Sequence, residues 1–185
     1  RAARPLVISF NGGPGTPAVW MEIGYTGPRL LNIDDEGYPI QPYGIKENAN
    51  SILDIADIVY VDPVNTGYSR IIGNAPKTTF FGVNADIKYL AAWISTFVTR
   101  YNRWQSPKYL IGESYGTNRV SGLALELQSS QWIFLNGVVL VSPTILGIER
   151  DGPVDVASRL PYYAATAWYH KALPADLQNK ELTAM

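Results

Sequence analysis

Tyr109-Leu110-Ile111-Gly112-Glu113-Ser114-Tyr115-Gly116 is a short apolar run that stops at a glycine and then carries a serine with a glycine two places to either side. Beyond it Val120, Leu123, Ala124 and Leu127 recur at i, i+3, i+4 and i+7, the spacing of a helix with one buried face. Ser114 therefore stands on a strand, sharp turn and helix in sequence. A turn that tight has no room for Cβ atoms beside the serine, which is why glycines flank it, and it leaves Oγ exposed at a helix N-terminus where negative charge is stabilised. The pattern makes Ser114 a candidate nucleophile, against the plainer reading of an ordinary strand–helix turn.

Working outward, three more apolar runs end at turn residues. Leu6-Val7-Ile8-Ser9-Phe10 stops at Asn11-Gly12, Ile58-Val59-Tyr60-Val61 at Asp62-Pro63, and Val138-Val139-Leu140-Val141 at Ser142-Pro143. Runs that are apolar without alternation read as interior strands of a parallel sheet, covered on both faces. Ile87, Leu90, Ala91, Ile94, Phe97, Val98 and Tyr101 mark a helix between the second and third runs, with Asn84 and Asp86 as its expected caps. Strands alternating with helices predict right-handed crossovers and a doubly wound, mostly parallel sheet with helices on both faces. The expected strand order is second, first, third, fourth. Residues 1–146 form this core; 147–185, aromatic and alanine-rich with no strand pattern, read as the start of a helical lid insertion.

A second glycine-rich motif, Asn11-Gly12-Gly13-Pro14-Gly15, follows the first strand. Two backbone N–H groups converging on one oxygen form an oxyanion hole, and glycines let the main chain approach closely enough to supply them. The expected pair is Gly13 N–H and Tyr115 N–H. Both motifs sit where an α/β-hydrolase places its nucleophile and its oxyanion loop. Phosphate binding is the other use of such a loop, but neither G-x-G-x-x-G nor a Gly-Lys-Ser/Thr ending is present.

Asn11-Gly12-Gly13-Pro14-Gly15, Asn48-Ala49-Asn50 leading into Asp62-Pro63-Val64-Asn65-Thr66-Gly67-Tyr68-Ser69, and Gly112-Glu113-Ser114-Tyr115-Gly116 together resemble, in order and spacing, the serine carboxypeptidases, and their bacterial more than their eukaryotic members. The segment from Leu160 to His170 is similar to the lid of those bacterial proteins. The resemblance implies an acyl-enzyme on Ser114, an oxyanion hole at Gly13 and Tyr115, and Asn11, Gly12 and Glu113 holding the carboxylate of a peptide C-terminus. The family's second carboxylate-binding glutamate falls on Tyr25, so an esterase, an acyltransferase or an aminopeptidase-like enzyme is the alternative within the fold. Asn65 stands where a glycine is common, and Thr16 where eukaryotic members have a cysteine.

In this fold the acid and the histidine follow the nucleophile on later loops. His170 is the only histidine, in an aromatic helical stretch better suited to packing, and Asp151 and Asp155 read as a turn and a helix start. The acid and the base are expected on a further part of the polypeptide, the sheet being cut short at both ends, so that residues 1–185 alone would be inactive. A non-catalytic fragment or binding module is the reading from outside the enzyme class.

The bulk composition limits the partners. A formal net charge of -1 gives no footprint for nucleic acid or an anionic membrane, and no apolar run approaches the length that spans a bilayer. With no cysteine there is neither a disulfide frame nor a thiolate metal site. Acyl transfer to serine requires no metal or organic cofactor, and none is expected. The expected substrate is a peptide and the expected setting secreted or periplasmic. Trp20, Trp93, Trp104, Trp132 and Trp168 read as core or rim packing. Asp34-Asp35-Glu36 reads as a solvated turn, since the ligand spacing of a calcium loop is missing.

Overall fold

The computed structural model describes residues 3–144 and 152–181. The chain divides into two compact units, residues 1–145 and 146–185. In the first, β1 (Leu6–Phe10), β4 (Asp57–Tyr60), β5 (Lys108–Glu113) and β6 (Gly137–Val141) form one sheet in the order β4-β1-β5-β6. Every pair is parallel, and the order is the one the four apolar runs predict. The register sets Phe10 opposite Gly112 and Glu113 opposite Val141, so the two glycine-bearing loops leave the carboxyl ends of adjacent strands.

All five residues of β1 are buried, as befits its central place. Leu6, Ile8 and Phe10 point into the larger core, where α2 (Val83–Arg100) contributes Leu90, Ile94 and Val98, and α3 (Tyr115–Ser130) contributes Val120, Leu123 and Leu127. Each such side chain is worth about 1.5–3 kcal/mol when fully buried. Val7 points the other way, into a smaller cluster with Met21, Ala56 and Ile111. That face is covered, among the described residues, by short turns: α1 (Val19–Met21) running into a π-helical turn at Glu22–Thr26, and a 3-10 turn at Ile52–Asp54.

Two local expectations are corrected and one unexpected element appears. β4 and β6, both expected as interior strands, are the edges of the described sheet, and Val138, Val139 and Leu140 are 38–49% exposed; an unbroken apolar run states what a strand could bury, not what covers it. Helix α2 is capped by Gly82 at φ 103°, with no side-chain cap, and Asp86 is buried inside the first turn. An ion pair with Arg119 outcompetes the capping role there. Finally, β2 (Arg29–Leu31) and β3 (Ile45–Glu47) form a small antiparallel ribbon that no alternation in the sequence announces. Between them, Asp34–Tyr38 is the expected turn, its Asp34 carboxylate accepting from the Tyr38 N–H at 2.7 Å. Of the tryptophans in this unit, Trp20, Trp93, Trp104 and Trp132 all lie at the rim.

The second unit contains α4 (Pro153–Tyr169) and α5 (Ala175–Gln178). Trp168 Nε1 donates to the Lys180 carbonyl and Gln178 Nε2 to that of Trp168, closing the pair into a hairpin. Asp151 and the side chain of Asp155 lie outside the described residues.

At the amino end of the sheet a polar seam joins three distant segments. Buried Arg103 donates to Asp57 at 2.7 Å, to the Arg4 carbonyl at 2.9 Å and to Ser106 Oγ at 2.7 Å, while Arg4 Nε reaches the other Asp57 oxygen at 2.9 Å. Burial alone would raise the Asp57 carboxyl, but the hydrogen bonds and charges of Arg103 and Arg4 outweigh it and hold the group below its ordinary value. A depressed folded-state value stabilises the fold above the ordinary carboxylate range, and that stabilisation is lost as pH falls through the folded value. Asp57→Asn is therefore expected to cost about 2 kcal/mol at neutral pH, since it leaves Arg103 buried without its counter-charge. Urea unfolding of variant and parent should converge as the pH is taken below 4; a constant difference across that range would remove the ionic explanation.

Candidate active site

Ser114 sits at φ 53°, ψ −123°, a conformation that a non-glycine residue enters only under strain of about 1–3 kcal/mol. The turn is held by hydrogen bonds on both sides. Ser114 N–H donates to the Val141 carbonyl at 3.0 Å, and the Ser114 carbonyl accepts from the Thr117 N–H at 2.9 Å and from Thr117 Oγ1 at 2.6 Å. A Cβ on Gly112 would come within 2.2 Å of the Gly116 carbonyl oxygen, and one on Gly116 within 2.9 Å of those of Phe10 and Asn11. The two glycines are thus required by contact, as the sequence pattern implies. The hydroxyl of Ser114 makes no hydrogen bond among the described residues and stands at the N-terminus of α3, whose dipole favours negative charge.

The loop after β1 lies directly against this turn. A Cβ on Gly12 would fall 2.7 Å from the Glu113 carbonyl oxygen and 2.8 Å from both Ser114 Cβ and Tyr115 N. Gly13 follows at φ 92° in an exposed bend closed by the Thr16 N–H donating to the Gly12 carbonyl at 3.1 Å. Asn11 is buried, and its Nδ2 donates to Glu113 Oε2 at 2.9 Å. The fold therefore brings Asn11, Gly12, Gly13, Glu113, Ser114 and Tyr115 to one place. Tyr25 is half exposed on the Glu22–Thr26 turn, where its carbonyl accepts from Asn48 Nδ2 at 3.1 Å, and no described contact joins its ring to those six. His170 ends α4, its N–H donating to the Thr166 carbonyl and its ring edge-on to Tyr169.

Beside the elbow a cavity of about 120 Å³ opens between Pro14, Val64, Phe80, Phe81 and Tyr115. Its wall is stiffened by Tyr89, whose hydroxyl accepts from the Val64 N–H at 3.0 Å and is pushed up to about 12 by burial. Asp62 organises the segment that follows β4. Its carboxylate accepts from the Ala18 N–H at 2.8 Å and the Tyr68 N–H at 3.2 Å, and Gly67, at φ 48°, leaves the space it needs. Asn65, where a glycine is common in similar proteins, adopts φ 63°, a left-handed conformation that asparagine tolerates better than most residues.

Sequence reasoning missed Arg119 and Asp86. Arg119 is buried, pairs with Asp86 at 2.7 Å and donates to the Asn11 carbonyl at 3.0 Å and the Pro14 carbonyl at 3.3 Å. A signal was present: Asp86 shares a helical stripe with Leu90 and Ile94, and an acid on a buried stripe demands a cation.

A family profile described as serine carboxypeptidase matches residues 1–184. The chain is 26% identical over 183 residues to carboxypeptidase Y homologue A of Pyrenophora tritici-repentis, covering 98% of this chain and 30% of that protein. It is 28% identical over 149 residues to serine carboxypeptidase-like 36 of Arabidopsis thaliana, covering 76% of this chain and 28% of that one. It thus spans about a third of the length of these relatives. A prohormone-processing carboxypeptidase from Saccharomyces cerevisiae shares the fold, with a TM-score of 0.62 and 20% identity over 93% of this chain and 35% of its own. These relatives are eukaryotic and lend no support to the nearer likeness to bacterial members. The match along nearly the whole sequence, on a sheet and elbow of this geometry, shows that the chain belongs to the serine carboxypeptidase family.

Proposed function

We propose that this chain is the nucleophile-bearing part of a serine carboxypeptidase that releases C-terminal residues from peptides in a secreted or periplasmic setting. The observation that carries the proposal is the packing of Gly12 against Ser114 Cβ and Tyr115 N, which sets a glycine-rich main chain beside a partly exposed serine whose hydroxyl has no hydrogen bond among the described residues. Ser114 Oγ attacks the carbonyl carbon of the last peptide bond while its proton passes to a histidine base supplied, with its aspartate, by the remainder of the same polypeptide. The N–H groups of Gly13 and Tyr115 take the developing oxyanion. Collapse breaks the C–N bond, the base returns the proton to the departing amine, and water then hydrolyses the ester on Ser114.

Asn11, Gly12, Glu113 and Tyr25 form the proposed site for the terminal carboxylate of the substrate. Two carboxyl groups share a site well only while one of them keeps its proton and can donate it. In the full-length polypeptide KM for free-acid peptides should therefore rise with pH, Glu113→Gln should flatten that rise, and Tyr25→Phe should raise KM a fewfold at every pH. Initial rates on a peptide and its C-terminal amide check this. Equal turnover of acid, amide and simple esters, with an unchanged profile in Glu113→Gln, would instead establish the esterase reading that Tyr25 favours.

A further inference from the structure

The buried arginine of α3 has a role that packing alone does not give it. Arg119 is one of the largest side chains in the protein with essentially no exposure, at 2%. Its guanidinium spends its donors on groups that matter to the elbow. Nη1 meets the Asn11 carbonyl at 3.0 Å, Nη2 the Pro14 carbonyl at 3.3 Å, and Nε the Asp86 carboxylate at 2.7 Å. Its plane lies near the rings of Tyr115, at 5.2 Å, and Phe10, at 5.8 Å. The two carbonyls bracket Gly12 and Gly13, so one rigid fork fixes both ends of the segment that presents the Gly13 N–H. The same group lies beside Tyr115, the residue whose N–H is the other donor.

From this geometry we infer that Arg119, oriented by Asp86, is a positioning residue for the oxyanion hole: it clamps the Asn11–Pro14 main chain at the height where Gly13 N–H and Tyr115 N–H address the same oxygen. The inference rests on the function proposed above. The Asn11 side chain, donating to Glu113 Oε2 at 2.9 Å, and the close packing of Gly12 hold the start of the segment, but Gly13 is exposed and the main chain from there to Thr16 is fixed, among the described residues, only by the Thr16 N–H to Gly12 carbonyl bond and by Arg119 on Pro14. Arginine is required rather than lysine, since only a planar fork reaches two carbonyls and a carboxylate at once. The carboxylate of Asp86 lets that fork stay charged in a buried place. Misplacing a preorganised donor acts on the transition state more than on substrate binding, and a displacement of about 1 Å costs on the order of a hundredfold.

The test uses the full-length polypeptide with three variants, Arg119→Lys, Arg119→Met and Asp86→Asn, and follows fluorophosphonate labelling of Ser114, kcat and KM on a free-acid peptide, and the thermal midpoint. Arg119→Lys keeps the charge and most of the volume and is the variant best suited to remain folded. It should label on the order of a hundredfold more slowly, with kcat reduced in parallel and KM within about threefold of the parent. Asp86→Asn, which leaves the guanidinium in place but unoriented, should lose less than Arg119→Met. Methylguanidine added to folded Arg119→Met should restore part of the labelling rate without moving KM, a response that a merely structural role would not give. A folded Arg119→Lys that labels at the parental rate, or loses only in KM, overturns the clamp and leaves the proposed function standing. Labelling of the parent that survives Ser114→Ala overturns both.

Discussion

Replacing Ser114 by alanine in the full-length polypeptide is expected to reduce fluorophosphonate labelling and peptide turnover by at least about ten-thousandfold, because without Oγ no acyl-enzyme can form. The fold should survive. The Ser114 hydroxyl holds no hydrogen bond among the described residues, and the bonds that fix the turn come from its own N–H and carbonyl, which alanine keeps. Alanine at φ 53° is no more strained than serine, so the unfolding free energy should stay within about 0.5 kcal/mol of the parent. Gel fluorescence of the labelled protein and a denaturant titration measure the two quantities. Persistent labelling would move the nucleophile elsewhere; loss of labelling with gross unfolding would leave the serine a structural residue.

The second large effect is expected from Gly12→Ala, a change of one methyl group in a residue whose backbone conformation alanine can adopt. The added carbon would lie 2.7 Å from the Glu113 carbonyl oxygen and 2.8 Å from Ser114 Cβ and Tyr115 N. None of these is the far end of a flexible side chain, so the loop must retreat from the elbow. That retreat withdraws the Gly13 N–H from the oxyanion, and loss of one such donor costs about a hundred- to a thousandfold in kcat. Gly44→Ala is the comparison, since nothing lies within 4 Å of the carbon it adds. Single-turnover acylation of both variants separates the effects: a Gly12→Ala protein as fast as Gly44→Ala would show that the loop does not serve the reacting oxygen.

Much of this arrangement could be read from the chain because its signals are local. Leu6–Phe10 and Tyr109–Ile111 are short, largely apolar runs that stop at Asn11-Gly12 and at Gly112, and the structure makes them neighbouring central strands. The elbow was legible because its flanking pattern is local, with Gly112 answering to the Gly116 carbonyl, whereas the need for Gly116 itself comes from the distant Phe10 and Asn11 carbonyls. What could not be read depends on pairings across the sequence. Asp86 looked like a helix cap until Arg119, on another helix, was seen to hold it. Val138–Leu140 has the composition of a covered strand, but composition carries no information about what lies over it. The ribbon of Arg29–Leu31 with Ile45–Glu47 is charged and half exposed, so no hydrophobic alternation marks it. The place of Tyr25 follows from a π-helical turn closed by the Gly27 N–H on the Glu22 carbonyl, a detail of backbone winding that residue types do not encode.

The central position of β1 also governs the order in which this unit can come into being. Leu6 takes its neighbours from Asp57 on one side and Lys108 on the other, so β1 is synthesised before either of the strands that flank it. At about 5–20 residues per second, Leu6–Phe10 waits on the order of ten seconds before β5 exists to complete its pairing. Until Asp57–Tyr60 is made both edges of this largely apolar segment are open, and until Lys108 is made one edge remains open, to any other unfinished chain nearby. Such distant pairings also close slowly once available, because the loop entropy must be met before the contacts reward it. Asn11 to Gly15 are thus made early but acquire their shape only when Ser114 and Arg119 have been synthesised and folded against them. Assembly of the sheet and assembly of the site are one event, and a nascent chain halted before Lys108 has neither.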